Sequence, residues 1–386
     1  MFISNDICYI GVNDHAVTLF EGQYDVPQGM AYNSYVILDE KIAVMDTVDS
    51  HFTGEWLENL AEALAGRTPD YLVVQHMEPD HSGSIRAFME TYPAAVVVAS
   101  QAAFRIMKQF YGDDYASRRI VVGEGDTLTL GHHTLTFLTA PMVHWPEVIV
   151  TYDSTDKVLF SADGLGKFGA LDTEDAEGWA CEARRYYFGI VGKFGAQVQA
   201  LLKKAAAVDI QTVCPLHGPV LSGEALAEAL RLYDIWSSYG VESKGVMIAY
   251  ASVYGNTEKA VALLAKTLEE MGCPKVVVTC VQRDDWAEAV EDAFRYGKLV
   301  LASPTYNGFL FPAMREFIEH LTERNYQNRQ VAFLENGSWA PAAAREMKKL
   351  LEGCKNVTLG GTVTIRSAMT EETPAQLKAL AAEILA

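Results

Sequence analysis

The stretch QHMEPDHSG at residues 75–83 concentrates side chains that bind metal ions. The candidate ligands, four within six positions, are His76, Glu78, Asp80 and His81. An apolar run at 71–74 precedes them and SIRAFMETY, with helical spacing, follows, so we expect them in a strand-to-helix turn. Side chains in such a turn can converge on one point. Since burying four of these groups without an ion costs much free energy, the stretch predicts a metal site.

Three more candidate ligands stand at predicted strand ends or in tight turns beside Gly or Pro. They are His144 in APMVHWPE, Asp163 in LFSADGLG and His217 in VCPLHGPV. Seven ligands are too many for one tetrahedral zinc, so they predict two ions bridged by a carboxylate. Asp163 is the natural bridge, because it arrives from a separate strand. Glu78 makes the site harder and more anionic, which favours iron or manganese over zinc.

The remaining five histidines are interpreted as surface residues or as core residues with satisfied hydrogen bonds. They are His15, His51, His132, His133 and His320. The adjacent pair His132 and His133 resembles a ligand pair, but neighbouring residues of a strand point to opposite faces and cannot bind one ion. Residues 164–169, GLGKFG, match the dinucleotide-binding fingerprint. The segment that follows is acidic and lacks a helix's apolar stripe, so we interpret these glycines as room around Asp163.

A second candidate site follows the apolar strand VMIAYAS. The segment SVYGNT leads from this strand into a predicted helix, so hydroxyl, amide and backbone N–H groups gather at a helix N-terminus, which favours phosphate. It contains no Lys or Arg and the chain has no Gly-Lys-Ser/Thr, which favours a phosphate monoester over a triphosphate with magnesium. The candidate residues are Ser252, Val253, Tyr254, Gly255, Asn256 and Thr257.

Two further strand ends are expected at the same edge, because ligands of parallel sheets lie outside the carboxyl ends of strands. They are SPTYNGFLFP at 303–312 and ENGSWAP at 335–341. Tyr306 and Trp339 are then placed to stack on a flat ring. The candidate contacts in these loops are Pro304, Thr305, Tyr306, Asn307, Gly308, Gly337, Ser338, Trp339 and Ala340.

The elements that must position these sites divide the chain in two. With 386 residues, the chain exceeds the usual size of a single core. The first half is rich in strand patterns, including a hairpin at 34–47. From Ser243-Lys244-Gly245 onward, strands alternate with helices, which predicts a parallel sheet covered on both faces. We therefore expect domains at 1–243 and 244–386.

Composition excludes several classes of partner. The net charge of −19 argues against nucleic acid and against an anionic membrane surface. No apolar run is long enough to span a bilayer, and the N-terminus lacks the pattern of a secretory signal. Six scattered cysteines without a Cys-x-x-Cys pair indicate reduced thiols in the cytoplasm and the absence of a rubredoxin-like module.

The ordered ligand set, followed by SVYGNT, resembles the flavodiiron proteins (A-type flavoproteins) over the whole chain. The resemblance implies a metallo-β-lactamase-like αββα sandwich, followed by a flavodoxin-like doubly wound parallel sheet. It also implies two iron ions per subunit: His76, Glu78 and His144 would bind one, Asp80, His81 and His217 the other, and Asp163 would bridge them. FMN would place its phosphate on 252–257 and its isoalloxazine against the loops 304–308 and 337–341. ENGSWAPAAAR departs from the Gly-rich, Trp-containing form of the last loop that is common in the family.

The same resemblance implies reduction of dioxygen to water, of nitric oxide to nitrous oxide, or of both, protecting an anaerobe. A separate electron donor is expected. Rubredoxin, the usual donor, is typically acidic like this chain, so it would require a local basic patch, for example around Arg184, Arg185 or Lys193. Otherwise the donor differs and could be a reduced deazaflavin coenzyme. A head-to-tail homodimer, or a dimer of such dimers, would bring the FMN of one subunit beside the irons of the other. Tyr186, Tyr187 and Phe188 would either line the substrate pocket or pack in the core.

Two alternatives remain open at the level of sequence. The first is a zinc hydrolase of the glyoxalase or lactamase kind, joined to a flavodoxin. A lactamase-type enzyme would carry His at the position of Glu78, so the exchange argues against this alternative. The second is an electron carrier without catalytic activity, in which the first domain serves as a docking platform; a complete ligand set argues against it.

Overall fold

A computed structural model describes residues 2–174 and 178–386. Contacts within the chain divide it into two compact units. The first unit comprises Met1–Tyr187 and Ala196–Asp234, and the second comprises Phe188–Gly195 and Ile235–Ala386. The strand β17 of the second unit begins at Ser243, so the expected boundary between residues 243 and 244 falls at the start of a strand. The domain boundary between residues 243 and 244 stays a prediction. Units defined by internal contacts and domains defined by sequence families need not end at the same residue.

The first unit is built mainly of short strands. Its strands are β1 (Ile7–Tyr9), β2 (Val12–Asp14), β3 (Leu19–Phe20), β4 (Tyr24–Asp25), β5 (Met30–Tyr32), β6 (Tyr35–Leu38), β7 (Ile42–Met45), β8 (Tyr71–Val74), β9 (Val96–Ser100), β10 (Arg119–Val122), β11 (Thr127–Thr129), β12 (Thr134–Thr139), β13 (Ile149–Asp153), β14 (Val158–Phe160), β15 (Thr212–Cys214) and β16 (Leu221–Ser222). Its helices are α1 (Thr53–Leu64), α2 (Pro79–Ser82), α3 (Ile85–Thr91), α4 (Gln101–Tyr111), α5 (Trp179–Tyr186), α6 (Gly195–Ala205) and α7 (Gly223–Ser237).

Two sheets of the first unit face each other across one core. The first has the strand order β1-β6-β7-β8-β9-β10 and the second β11-β12-β13-β14-β15-β16. Alternate residues point inward, so Tyr35 and Ile37 of β6 pack in the same apolar cluster as Leu135 and Phe137 of β12. Helices α1 and α4 contact the first sheet, while α6 and α7 cover the second. The unit is an αββα sandwich, as predicted, and the hairpin predicted at 34–47 is the antiparallel pair β6–β7.

The second unit is a parallel sheet with helices on both faces. Its strands are β17 (Ser243–Tyr250), β18 (Val276–Cys280), β19 (Tyr296–Tyr306), β20 (Phe309–Leu310), β21 (Gln330–Asn336) and β22 (Thr358–Ile365). Its helices are α8 (Asn256–Glu270), α9 (Trp286–Arg295), α10 (Pro312–Glu323), α11 (Ala343–Leu351) and α12 (Thr373–Leu385). The strand order β18-β17-β19-β21-β22 is the doubly wound order of flavodoxin-like sheets, as predicted.

Helices α8 and α12 pack together on one face of this sheet, and α9, α10 and α11 lie on the other. The alternation of strands and helices predicted from Ser243 onward is observed, although no sequence pattern predicted α11, β22 or α12. Within the described ranges, no helix combines the length and the apolar character that crossing a membrane requires.

Candidate metal centre and cofactor pocket

The seven predicted metal ligands come together at one end of the two facing sheets. His76 and Glu78 follow β8, and Asp80 and His81 lie in the short helix α2. The other three follow strands of the second sheet or connect them: His144 precedes β13, Asp163 follows β14 and His217 follows β15. Parallel and antiparallel strands thus deliver four separated segments of the chain to one small volume.

One group of ligand atoms surrounds an oxygen of Asp163. The Nε2 atom of His144 lies 2.9 Å from Oε2 of Glu78 and 3.1 Å from Oδ2 of Asp163. The Nε2 atom of His76 lies 3.3 Å from each of these two oxygens. One ligand atom from each of the four residues falls within 4.8 Å of the others, which is compact enough to hold one metal ion.

The second group uses the other oxygen of Asp163. The Nε2 atoms of His81 and His217 are 2.9 Å apart, and Oδ2 of Asp80 lies 3.2 and 3.3 Å from them. Oδ1 of Asp163 is 3.4 Å from Nε2 of His81. The two oxygens of one carboxylate therefore face two separate groups, which is the geometry of a carboxylate that bridges two ions.

The electrostatics of the cluster favour positive charge. Burial alone raises the pKa of Asp163, but the neighbouring imidazoles, His76 foremost, hold it well below its usual range. Burial alone lowers the pKa of His81, yet the carboxylates of Asp80 and Asp163 raise it to about 10. The same opposition raises the pKa of His144 to about 9. Ionised carboxylates at this depth require cations, whether protons on the imidazoles or metal ions.

Unsatisfied oxygens provide an independent test of whether metal ions fit. Asp80 and Asp163 are buried, and among the described residues none of their four carboxylate oxygens accepts a hydrogen bond. Buried polar atoms without partners are rare and costly in folded proteins. Oxygens aimed at imidazole nitrogens, with no donor of their own, fit coordination of cations.

The sequence analysis missed the residues that hold the ligands in place. Oε1 of Glu147 lies 2.9 Å from Nδ1 of His76 and accepts the backbone N–H of Met77 at 2.9 Å. Nδ1 of His217 lies 2.8 Å from the carbonyl oxygen of Ala31. These contacts leave each Nε2 turned toward the cluster. The position of Glu147, three residues after His144 in HWPE, was the available signal.

Another buried carboxylate supports the turn that carries the first ligands. Asp46 accepts the backbone N–H of Gln75 at 2.7 Å, the Gln75 side chain at 2.9 Å and the backbone N–H of His76 at 3.3 Å. Burial raises the pKa of Asp46 to about 6, even though these hydrogen bonds lower it. Asp46 follows β7 directly, so the strand fixes its place beside the turn.

The three aromatic residues proposed for the substrate pocket separate in the structure. The ring of Tyr186 lies 5.5 Å from that of His217. Burial, reinforced by the carboxylates of Asp163 and Glu78, raises the pKa of Tyr186 well above its usual value, so the phenol stays protonated. Tyr187 packs 5.1 Å from Tyr233, and the pocket role predicted for it stays a prediction. Phe188 stacks in the core of the second unit.

Gly166 and His133 belong to the residues set aside at the sequence level. A Cβ on Gly166 would lie 3.1 Å from the carbonyl oxygen of Asp163 and 3.3 Å from Cβ of His217. The glycines therefore give close approach around the ligands. His133 is fully buried and its Nδ1 lies 3.0 Å from Asp153, as expected for a core histidine with a hydrogen-bond partner.

The second predicted site is a pocket of about 550 Å³ at the carboxyl edge of the parallel sheet. It is lined by fourteen of the fifteen residues predicted to contact a cofactor. The exception, Gly255, caps α8 with a φ of 82°, a conformation that glycine adopts without strain. Asn336 and Ser367 also line the pocket and were missed. Ser367 follows β22, a strand that the sequence analysis did not identify.

The pocket pairs neutral donors with exposed aromatic rings. The Oγ atom of Ser252 accepts a hydrogen bond from the backbone N–H of Glu258. The backbone N–H of Ser252 donates to Oε1 of Gln282 at 2.8 Å. Trp339 is 90% exposed and Tyr306 46% exposed, although both are large apolar groups. Rings exposed to this degree at the rim of a cavity suit stacking on a flat ligand. Donors at the N-terminus of α8 suit a phosphate group.

Two family models cover most of the chain. The model described as ODP family beta lactamase matches residues 30–218, and the flavodoxin domain model matches residues 247–373. The chain is 27% identical over 386 residues to the rubredoxin-oxygen oxidoreductase of Megalodesulfovibrio gigas, covering 97% of this chain and 94% of that one. It is 28% identical over 362 residues to the nitric oxide reductase of Moorella thermoacetica, covering 92% and 90%.

A solved structure is similar to this chain over almost its full length. The flavodiiron protein of Giardia intestinalis matches with a TM-score of 0.91 and 26% identity, over 99% of this chain and 95% of that one. The chain belongs to the flavodiiron protein family. As a flavodiiron protein, it combines the β-lactamase-like and flavodoxin folds on which its two candidate sites lie.

Proposed function

We propose that this flavodiiron chain is an FMN- and iron-dependent oxidoreductase that reduces dioxygen, nitric oxide or both. Reduction of O₂ consumes four electrons and four protons and gives two H₂O. Reduction of two NO consumes two electrons and two protons and gives N₂O and H₂O. The observation that carries the proposal is Asp163, whose two oxygens face two separate groups of ligands. The names of the relatives in Megalodesulfovibrio and Moorella support the two gases.

We assign one ion to His76, Glu78 and His144, the other to Asp80, His81 and His217, and the bridge to Asp163. Bound iron would supply electrons and a coordination position for the gas. The chain's own residues complete the site. Glu147 holds the ring of His76 so that Nε2 faces inward, and the ring of Tyr186, which stays protonated, lies beside His217.

We assign FMN to the pocket of the second unit. The hydroxyl, amide and N–H groups of 252–257 would hold its phosphate, and Tyr306 and Trp339 would stack on or edge its ring. FMN passes electrons singly or in pairs, which suits transfer to a metal pair. We further propose a separate donor, rubredoxin or a reduced deazaflavin coenzyme, and a cytoplasmic location. The six cysteines form no disulfide among the described residues, which fits a reducing compartment.

The deciding experiment uses one purified sample of the full chain. Metal analysis should give two irons per subunit and cofactor analysis one FMN, and the reduced protein should consume NO or O₂. Zinc alone, together with hydrolysis of thioester or lactam substrates, would overturn the assignment. Flavin reduction without any consumption of gas would favour the electron-carrier alternative.

We also propose a head-to-tail homodimer, alone or paired into a tetramer. Complementation tests it: a chain with Asp163→Ala lacks the metal bridge, and a chain with Tyr306→Ala and Trp339→Ala lacks the aromatic contacts for FMN. Mixed dimers should reduce gas faster than either parent, because the FMN of one chain would serve the irons of the other. Failure to recover activity in dimers that light scattering shows to be mixed would contradict this arrangement.

A further inference from the structure

An apolar slot lies behind the metal ligands, on the outer face of the second sheet of the first unit. It is bounded by Val150, Leu159 and Val213 of the sheet and by helices α6 and α7. Its cavity volume, taken as the space open to the centre of a water molecule, is about 40 Å³. Because roughly 10–15 Å³ on this measure holds one water molecule, the slot has room for one or two diatomic molecules.

The slot runs along the strands toward the ligand loops. Ile210, which precedes β15, and Leu202 and Leu230 on the two helices are partly exposed and form its outer end. Strand pairing aligns Leu159 with Val213, so these residues lie midway. The inner end is formed by Val143, Gly164 and Leu165, which adjoin His144 and Asp163 in the chain. The cavity thus reaches from near the surface to the loops that present two of the ligands.

The described residues that line the slot offer little that would hold water. Its two hydroxyl-bearing residues are already engaged: Ser161 donates to the carbonyl oxygen of Gly164 at 2.6 Å, and the hydroxyl of Tyr233 accepts the N–H of Leu165 at 2.8 Å. A water molecule needs two to four polar partners, and cavities without them stay dry and bind apolar atoms or small apolar molecules. Gly164 contributes bare backbone to the wall, where a Cβ would come within 3.0 Å of the carbonyl oxygen of Ser161.

We propose that this slot binds a small apolar diatomic gas, O₂ or NO, and delivers it toward the ligand loops. The inference rests on the proposed function, since only an enzyme that consumes a dissolved apolar gas gains from such a site. Size, dryness and position point to the same occupant. A larger substrate would not fit, and a polar or charged one would lose its hydration without gaining partners.

The direct test is xenon, which occupies dry apolar cavities of this size. Crystals of the full metal-loaded protein are pressurised with xenon and compared with untreated crystals. We expect a xenon atom between the sheet and helices α6 and α7, near Leu159 and Val213. Ordered water in the slot of untreated crystals, or its failure to bind xenon, would overturn the proposal.

Kinetics supply the second test. Ala205, a buried residue of α6, lines the slot, so Ala205→Leu should fill part of it. Second-order rate constants for the reaction of reduced enzyme with NO and with O₂ should fall at least about tenfold, the effect of extra methylene groups in an apolar site. The turnover rate at saturating gas and the rate of flavin reduction should stay unchanged. Measuring both gases shows which of them uses the slot.

Ala200→Leu is the matched control, since it makes the same exchange on the exposed side of α6. Equal rate constants for the Ala205 and Ala200 variants would overturn the proposal while leaving gas reduction intact. A wild-type protein that reduces neither gas would contradict the proposed function instead. The xenon measurement on the wild-type protein remains decisive even if the Ala205 variant fails to fold.

Discussion

The metal cluster and the cofactor pocket differ in which groups they bury and which they expose. The cluster buries charged groups: His76 and His81 are fully buried, and Asp163 is 1% exposed. The pocket buries little, since Trp339 at its rim is 90% exposed. A charge inside a protein is stable only when an opposite charge or hydrogen bonds compensate it. An exposed aromatic ring, in contrast, is stabilised by stacking only when a ligand covers it. The cluster is therefore part of the buried interior of its fold, whereas the pocket is a surface that a ligand would cover.

This difference predicts unequal responses to substitution. Removal of a charged group from the cluster leaves the remaining buried charges uncompensated. Both the free energy of unfolding and the affinity for metal should therefore fall. Removal of a ring from the pocket changes affinity for the cofactor and leaves the fold intact. Four predictions follow, in order of decreasing effect.

The largest effect is expected for Asp163→Ala. Loss of the residue that faces both groups should weaken metal binding by more than about 100-fold, since even the loss of a partner of a ligand costs 10–100-fold. Metal content and gas reduction should both be lost, while chemical reduction of FMN proceeds normally. Asp172→Asn, at an exposed carboxylate, is the control. An Asp163→Ala protein that keeps two irons and full turnover would refute the assigned bridge.

Glu147→Ala should weaken metal binding about 10–100-fold, because His76 loses the carboxylate that fixes its ring. Glu147→Gln keeps an oxygen that accepts both hydrogen bonds and should recover most of the affinity. The measurements are metal titration and the reduction potential of the metal pair. A general loss of stability would not change the reduction potential more in the Ala variant than in the Gln variant. Equal behaviour of the two variants would argue against an orienting role.

Trp339→Ala should raise the dissociation constant of FMN about tenfold, equivalent to about 1.4 kcal/mol, because a stacking surface is removed. Thermal unfolding of the protein without FMN should be unchanged, since the side chain is almost fully exposed. Flavin fluorescence titration measures the affinity. Phe110→Ala, at an exposed ring of the first unit, should alter neither quantity. A large loss of stability in the Trp339 variant would break the contrast drawn between the two sites.

The smallest effect concerns His133, a buried imidazole outside the ligand set. Burial lowers its pKa, but the carboxylate of Asp153 outweighs this and raises the pKa to about 9. The protonated form is favoured in the fold, so its stabilisation is complete below pH 6.5 and disappears as the pH rises through 9. The free energy of unfolding of the first unit should fall by about 1 kcal/mol over this interval, the scale of a single ion pair.

His133→Gln should flatten that pH dependence, which urea unfolding at a series of pH values measures. Chelators should leave the slope of the wild-type protein unchanged, because His133 lies apart from the metal ligands. A slope that depended on metal would place this histidine with the cluster and erase the distinction between a structural pair and a ligand site.

Much of both sites was predictable because the signals are local. His76 to His81 lie within one turn, and SVYGNT joins one strand to one helix. Ser367 and Glu147 escaped prediction for different reasons. Ser367 depends on β22, whose sequence TLGGTVTI has weak apolar alternation and two central glycines. Glu147 is one of many acidic residues, and only its position beside Nδ1 of His76 distinguishes it from a solvated carboxylate.

The aromatic run at 186–188 shows the same limit. The sequence does not distinguish these three adjacent aromatic residues. In the structure, Tyr186 lies beside His217 while Tyr187 and Phe188 pack elsewhere. The apolar slot had no signature in the sequence at all. Cavities are produced by imperfect packing between distant segments, here β13 to β15 and two helices, and no single segment encodes them.

By itself, the sequence determined which side chains are candidates to bind metal or phosphate, the order in which they occur and the two kinds of fold that carry them. Residue type and periodicity are local properties, and they act before any long-range contact forms. Only the tertiary structure decided that the two oxygens of Asp163 face different imidazole pairs, and that an apolar cavity lies behind the loops of His144 and Asp163. Both depend on how strands far apart in the chain are aligned, because alignment sets directions and distances that residue types leave free.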